Sequence, residues 1–238
     1  MISVEMVFTP TMCRTENESK MLWSYLGSLY KNGQILKDDI LVKRTDQYMA
    51  IVTIPAADAL DEVHNNTHVA RDWAEVGDHF DVSVRILGEN LDTEESCGCA
   101  KPSWYMLCSP WSNRESPIIC GDCRHSVPLY TLPYILGETE YNSALGWKQK
   151  REDITDLYVL GLSDRFTSRQ MSNPDSQLSR EGRRICAEYE KVVRVPFYYY
   201  LVRRSASCPV CGGQWKPVDV YGMCDECRLI VPLDPQEW

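Results

Sequence analysis

The sequence predicts an α+β protein of two domains, residues 1–92 and residues 93–238. Three observations lead to this prediction. Apolar residues before position 90 change between strand and helix periodicity in the order β-α-β-β-α-β. Eight of the eleven cysteines form four close pairs, all after residue 96. Charge divides at the same point, because residues 1–96 hold 17 acidic and 8 basic residues, whereas residues 97–238 hold 17 of each.

The elements of the first domain follow from residue spacing. Residues 2–8 place apolar side chains at every second position, which indicates a half-buried strand. Apolar residues from Leu22 to Tyr30 recur at helical spacing, and Asn32-Gly33 ends that helix. The elements predicted after it are two strands around 40–42 and 48–54, a helix around 69–76 and a last strand at 82–86.

This order of elements is the split βαβ, or ferredoxin-like, arrangement, in which four strands form one antiparallel sheet. The fold supports many functions and therefore identifies none. RNA-recognition domains share the topology, but they stack bases on aromatic residues of the central strands. The third strand, 47–53, has Tyr48 as its one aromatic residue. We therefore do not expect RNA to stack on this sheet.

The second domain is predicted to contain a zinc-ribbon region divided by a helical insertion. The ribbon elements are 97–132 and 196–234, and the insertion is 133–195. In the insertion, Asn173 as N-cap and Pro174 as first residue predict the start of a helix that continues to Val192. A strand at 197–202 leads into the last cysteine pairs.

The clearest metal motif is Cys208-Pro-Val-Cys211 and Cys224-Asp-Glu-Cys227, with twelve residues between Cys211 and Cys224 that begin with Gly-Gly. A two-residue gap lets two thiolates on one tight turn approach a single cation, and two such turns complete the tetrahedral shell of a structural zinc ion. A redox dithiol needs one pair at the start of a helix and no second pair. An iron–sulfur cluster uses the same four ligands, and spacing alone does not distinguish it from zinc.

A second zinc site is expected at Cys97-Gly-Cys99 and, twenty residues later, Cys120-Gly-Asp-Cys123. The one-residue gap in its first pair is a weaker motif, and Cys108 and His125 are close enough in sequence to replace a ligand. The pattern C-x-x-C-R-x-x-V-P-L occurs at 120–129 and again at 224–233. This repeat predicts two related metal-binding units, and hence two zinc ions.

Residues 180–204 are a candidate partner surface, since they contain seven basic and three acidic residues interleaved with tyrosines. Positive charge beside aromatic rings is typical of sites for single-stranded nucleic acid. A basic helix face followed by a strand with buried tyrosines explains the same pattern. The predicted contact residues are Arg183, Arg184, Arg203 and Arg204.

The sequence shows no catalytic motif, and we expect a protein that is not an enzyme. His64 and His68 stand four residues apart, but the glutamate of the metalloprotease motif is missing between them. Serine nucleophile elbows, phosphate-binding loops and dinucleotide-binding glycine patterns are absent. No apolar run is long enough to span a membrane, and the start of the chain does not resemble a signal peptide. These features predict a cytoplasmic protein.

The second half of the chain resembles a bacterial family of unknown function. The resemblance is carried by Cys97 to Tyr105, by Gly121-Asp-Cys123, by Ser163 to Met171 and by Cys208-Pro-Val-Cys211. The family is described as zinc-ribbon-containing, and nucleic-acid binding has been suggested for it. The resemblance therefore implies bound zinc and a nucleic-acid partner, although this chain's net charge of −9 opposes nucleic-acid binding.

Three hypotheses for function follow. In the first, which we favour slightly, zinc stabilises a surface for a protein partner, for example in an immunity protein or antitoxin whose acidic N-terminal domain covers a basic toxin. In the second, the ribbons and residues 180–204 bind nucleic acid. In the third, the chain is an enzyme whose site the sequence does not display.

Overall fold

A computed structural model describes residues 1–11, 17–36, 40–108 and 115–233. The chain divides into two compact units. The first unit comprises Met1–Ser96 and Pro128–Tyr141. The second unit comprises Cys97–Val127 and the chain from Asn142 onward. None of the helices in the described ranges is long and apolar enough to cross a membrane.

The first unit has the predicted β-α-β-β-α-β order. Its elements are β1 (Ile2–Pro10), α1 (Glu18–Lys31), β2 (Ile40–Lys43), β3 (Tyr48–Ile54), α2 (Thr67–His79) and β4 (Phe80–Glu89). The strand order is β2-β3-β1-β4 and all pairs are antiparallel, which is the ferredoxin-like sheet. The Asn66 side chain caps α2 by accepting hydrogen bonds from the N–H groups of His68 and Val69.

The core of the first unit follows from strand alternation. Val4, Met6 and Phe8 of β1 are buried in one cluster with Leu22 and Leu26 of α1. Each such side chain stabilises the fold by about 1.5–3 kcal/mol when it is fully buried. The period-two and helical patterns of the sequence therefore describe the buried faces of this unit.

Residues 128–141 pack with the first unit, although the predicted boundaries placed them with the second domain. Asn32 is fully buried, and Tyr134 satisfies its side-chain oxygen with a hydrogen bond of 2.5 Å. The Tyr141 N–H group donates to the carbonyl oxygen of Lys31 at 2.9 Å. These long-range hydrogen bonds fix the segment on the first unit, and local sequence pattern does not reveal them.

The second unit is built on a six-stranded sheet. Its elements are β5 (Tyr105–Leu107), β6 (Ile118–Cys120), α3 (Asn142–Val159), α4 (Asp164–Ser172), α5 (Gln177–Val193), β7 (Phe197–Tyr200), β8 (Lys216–Val218), β9 (Tyr221–Cys224) and β10 (Leu229–Pro232). The strand order is β6-β5-β7-β10-β9-β8. Strand β7 is parallel to both of its neighbours, and the other pairs are antiparallel. The two predicted ribbon elements are therefore halves of one sheet, joined by β7.

The tyrosines of β7 alternate between the two faces of this sheet. Tyr199 is fully buried against Trp147 of α3, with ring centroids 5.9 Å apart. Tyr198 and Tyr200 are buried on the opposite face, in a cluster with Met106. The burial of these rings supports the structural explanation of the tyrosine run over a base-stacking surface.

The predicted start of the helix at Asn173 is wrong. Helix α5 begins at Gln177, and its N-cap is Ser176, whose side chain accepts a hydrogen bond from the Ser179 N–H group. Asn173 instead follows the end of α4, and its side-chain oxygen accepts from the Asp175 N–H group. Both residues are good N-caps, and tertiary packing decides which of them caps the helix.

Candidate metal centres

The C-terminal cluster consists of Cys208, Cys211, Cys224 and Cys227, whose sulfur atoms all lie within 4.8 Å of one another. The sulfurs of Cys211 and Cys224 are 3.6 Å apart. Sulfurs at the corners of a tetrahedron with Zn–S bonds of about 2.3 Å would be separated by about 3.8 Å. The spacing of these thiols therefore fits a single tetrahedral zinc ion.

Two tight turns present these four thiols. Cys208 and Cys211 lie before β8, where the Gly212 N–H group donates to the Cys208 carbonyl oxygen at 2.8 Å. Gly212 adopts a φ of 74°, in the left-handed region that glycine tolerates without steric cost. Burial disfavours the Cys208 thiolate, but hydrogen bonds from the backbone of Cys211 and Val210 outweigh it and hold the pKa of Cys208 below its usual value. Burial raises the pKa of Cys224 at the same time, so Cys208 is the thiol of these two that ionises more readily.

The N-terminal cluster consists of Cys97, Cys99, Cys120 and Cys123, and its sulfur atoms also lie within 4.8 Å of one another. Cys120 ends β6, and Cys123 lies in the turn that follows. The Cys97 N–H group donates to the Ser126 carbonyl oxygen at 2.8 Å, which holds the first pair against this turn. The one-residue gap between Cys97 and Cys99 is thus compatible with a four-thiol group.

The sequence repeat corresponds to a repeated local structure. In each copy a strand ends at the first cysteine, and the arginine after the second cysteine has a positive φ, 64° at Arg124 and 54° at Arg228. In the first copy the Val127 N–H group donates to the Ile118 carbonyl oxygen. At the matching position of the second copy, Val231 pairs with Gly222. The two copies of the repeat therefore share one backbone arrangement around their cysteine pairs.

The remaining candidate ligands lie outside both clusters. Cys108 is buried beside Met106, and this burial raises its pKa to about 12. Cys186 is buried in α5, and His125 belongs to neither group of ligands. Cys13 lies outside the described residues. The four cysteine pairs alone are thus brought together in the part of the chain that the structure describes.

An aromatic layer connects the two clusters across one face of the sheet. Trp104 packs edge-on against Tyr198 and Tyr221, with ring centroids 5.7 and 6.4 Å apart. Tyr198 donates a hydrogen bond of 2.6 Å to Asp225, which lies between two ligands of the C-terminal cluster. At the other end, the N–H group of Gly121 donates to the Trp104 carbonyl oxygen at 2.9 Å. Packed rings and hydrogen bonds therefore run from one cluster to the other.

A second feature of this unit is a pair of grooves beside α4, which we call the α4 grooves. The first has a volume of about 580 Å³ and the second about 570 Å³. Arg165 and Arg169 line both grooves, whereas Arg203 lines the first and Arg180 the second. The spacing of the first two arginines, four residues apart on a helix, places them on one face. The sequence contained this signal, but the prediction centred on residues 180–204 missed it.

The four predicted contact arginines have different surroundings. Arg203 lines the first α4 groove, while Arg204 donates to the carbonyl oxygen of Leu233 at 3.0 Å. Arg183 and Arg184 lie on α5 and line neither groove. Of the four predicted residues, Arg203 therefore lines a groove together with residues of α4.

The side chains of His64 and His68 each lie beside a polar side chain. His64 Nε2 lies 3.3 Å from Asp58 Oδ2, and His68 Nε2 lies 3.1 Å from Thr139 Oγ1. Tyr130 donates a hydrogen bond of 2.7 Å to the other oxygen of Asp58, and this bond is the main cause that lowers the pKa of Asp58. The two histidines therefore have separate partners.

Comparisons with solved structures find similarity over part of the chain. A variant of SnoaB, a cofactor-independent oxygenase from Streptomyces nogalater, aligns with 38% of this chain and 95% of its own, at 9% identity and a TM-score of 0.32. An antibiotic biosynthesis monooxygenase aligns with 38% of this chain and 99% of its own, at 18% identity and a TM-score of 0.30.

Two uncharacterised proteins of Haemophilus influenzae are similar in sequence. One is 26% identical in an alignment that covers 92% of each chain. The other is 26% identical in an alignment that covers 63% of this chain and 80% of its own. Residues 99–202 match the family model described as a domain of unknown function, DUF2310. This range includes three cysteines of the N-terminal cluster and both arginines shared by the α4 grooves.

Proposed function

We propose that this protein is a zinc-stabilised, non-enzymatic binding protein that recognises a macromolecular partner. The observation that carries the proposal is the pair of four-cysteine clusters in one sheet. A shell of four thiolates leaves no coordination position for a substrate, whereas catalytic zinc sites keep one position open. Zinc held by these residues would supply folding free energy rather than chemistry.

The short strands around the clusters support a structural role for bound metal. Strands β5, β6 and β8 have three residues each, and β9 and β10 have four. Hairpins of this length are marginally stable in water by themselves. At each cluster, four thiolates on one cation join the turns that begin and end these strands. The two clusters together stabilise the sheet at both edges.

A protein is the first candidate partner, because of the charge of the first unit. Residues 1–96 contain 17 acidic and 8 basic residues, and residues 128–141 add Glu138 and Glu140 with no basic residue. An acidic domain attracts basic protein surfaces and repels phosphate. An immunity protein or antitoxin that covers a basic toxin would have this charge.

Nucleic acid is the second candidate, and the α4 grooves favour it. Their four arginines belong to the second unit, which holds 15 acidic and 17 basic residues once Glu138 and Glu140 are counted with the first unit. The acidic first unit is expected to repel phosphate groups, but the second unit is not. The two candidates use different units and can be tested separately.

The proposal is tested by metal analysis together with affinity purification of the full chain. We expect close to two zinc ions per chain, and circular dichroism should report loss of β structure when a strong chelator removes them. Partners captured by the tagged chain are then treated with nuclease. Proteins retained after digestion support the first candidate, and partners lost on digestion support the second. A chain that purifies without metal and keeps its fold would contradict the proposal.

A further inference from the structure

We propose that the α4 grooves bind the phosphate backbone of single-stranded nucleic acid, with the ring of Phe166 available to a base. This inference rests on the second candidate function and assigns its site. The residues that carry it are Arg165 and Arg169 of α4, Arg180 of α5, and Arg203 in the segment after β7.

The first argument is that these four arginines are exposed and have no carboxylate partner within ion-pair distance among the described residues. Some other arginines are paired, for example Arg71 with Asp72, Arg85 with Glu5, and Arg228 with Glu190. Three guanidinium groups line each groove beside one carboxylate that is not within ion-pair distance of them, so positive charge is in excess and the guanidinium groups repel one another. An anionic ligand would relieve this repulsion, and arginine forms geometrically specific hydrogen bonds with phosphate oxygens.

The second argument is the arrangement of the two grooves. They flank α4 and share Arg165 and Arg169, which are about 6 Å apart along the helix axis. Arg203 extends the positive charge on one side of the helix and Arg180 on the other. A single carboxylate or free phosphate would occupy only one groove. A nucleic-acid strand, which carries a negative charge on the phosphate of every nucleotide, can occupy both grooves.

The other polar residues of the grooves suit the same ligand. Ser168 and Asn173 line the first groove and Gln170 lines the second, and such side chains donate to phosphate oxygens in nucleic-acid complexes. One carboxylate lines each groove, Asp164 in the first and Asp175 in the second. Because three arginines line each groove, each retains an excess of positive charge.

The aromatic residue distinguishes nucleic acid from an acidic peptide. Phe166 is 52% exposed and lines the second groove. In the sequence it lies between the two shared arginines, Arg165 and Arg169. An exposed phenylalanine costs solubility, whereas stacking of a base on such a ring contributes about 1–3 kcal/mol and tolerates any base. Arginines alone would serve an acidic peptide, so the ring favours a single strand.

The test measures binding of the zinc-loaded full chain to a fluorescent 20-nucleotide RNA of mixed sequence, by anisotropy over a salt series. The double variant Arg165→Ala/Arg169→Ala should bind about tenfold more weakly at moderate salt. Its slope of log affinity against log salt should be smaller by about 1.4, since each lost phosphate contact on a single strand contributes about 0.7. The matched control Arg183→Ala/Arg184→Ala removes the same charge from α5 outside the grooves, and should change binding less than threefold.

Phe166→Ala should weaken binding of the RNA several-fold without changing the salt slope, because a lost stacking contact releases no counterions. Absence of binding at low salt, or equal loss in both double variants, would overturn the inference. Tighter binding of a poly-glutamate peptide than of the RNA would assign the grooves to an acidic protein instead, and also overturn it. Zinc content is measured for every variant. If RNA does not bind while the chain keeps two zinc ions and nuclease-resistant partners, the groove assignment fails and the proposed binding function stands.

Discussion

Replacing Gly121 by alanine tests whether the N-terminal cluster depends on the packing of Trp104. A Cβ atom at Gly121 would lie 2.0 and 2.1 Å from two carbons of the indole ring. Ordinary contacts between such atoms are about 3.5 Å or longer, so the ring would have to withdraw by more than about 1 Å. Tyr198 and Tyr221 pack against the ring and oppose that movement.

Overpacking of this kind costs about 1–3 kcal/mol. For a chain of this length the cost corresponds to a decrease in Tm of about 2–12 °C. Because Gly121 lies between the ligands Cys120 and Cys123, we also expect Gly121→Ala to release zinc to a chromogenic chelator faster than the wild type does. Thermal unfolding followed by circular dichroism measures the first effect, and absorbance of the chelator complex measures the second.

Gly98→Ala is the matched control, because Gly98 lies between Cys97 and Cys99 and a Cβ atom there would meet nothing within 4 Å. Its Tm should stay within about 1 °C of the wild type, as for an exposed surface substitution. Adding Trp104→Phe to Gly121→Ala should recover part of the loss, since a smaller ring leaves room for the new methyl group. Equal Tm values for the wild type and Gly121→Ala, or equal losses in the two alanine variants, would refute the packing argument.

Three further predictions concern metal and charge. The wild-type chain purified under reducing conditions should contain close to two zinc ions. Cys208→Ser/Cys211→Ser should leave one zinc ion and reduce solubility, because zinc binding in such units supplies on the order of 10 kcal/mol or more of folding free energy. Metal analysis that finds no zinc, or iron with visible absorbance, would contradict this prediction. Cys186→Ala should leave the zinc content unchanged, since Cys186 is buried in α5 away from both clusters, and a loss of zinc would show that the ligand set is wrong. Tyr130→Phe should raise the pKa of Asp58 toward its ordinary value, as measured by NMR titration, because the Tyr130 hydroxyl is the main cause of its lowered pKa. A lowered pKa of Asp58 in the folded state stabilises the protein at pH values above the ordinary pKa of aspartate. This contribution is lost as the pH falls through the pKa of Asp58 in the folded state. An unchanged titration curve of Asp58 in Tyr130→Phe would refute the role of the Tyr130 hydroxyl.

The sequence by itself determined the elements whose signals are local. The period-two pattern of residues 2–8 and the helical spacing from Leu22 to Tyr30 report which faces are buried, and the structure places both in one core. The cysteine pairs are equally informative, because a two-residue gap fixes two thiols on one turn whatever surrounds it. The repeat at 120–129 and 224–233 predicted the common backbone of the two turns.

Only the tertiary structure decided which distant segments meet. Strand β7 joins both ribbon elements into one sheet, and residues 128–141 pack with the first unit through the partners of the buried Asn32. Ser176 rather than Asn173 caps α5, although both side chains have the chemistry of a cap. The α4 grooves combine arginines from three elements, so no window of sequence contains the whole group. Contacts between residues far apart in the chain depend on packing and long-range hydrogen bonds, which leave no periodic trace in the residues that make them.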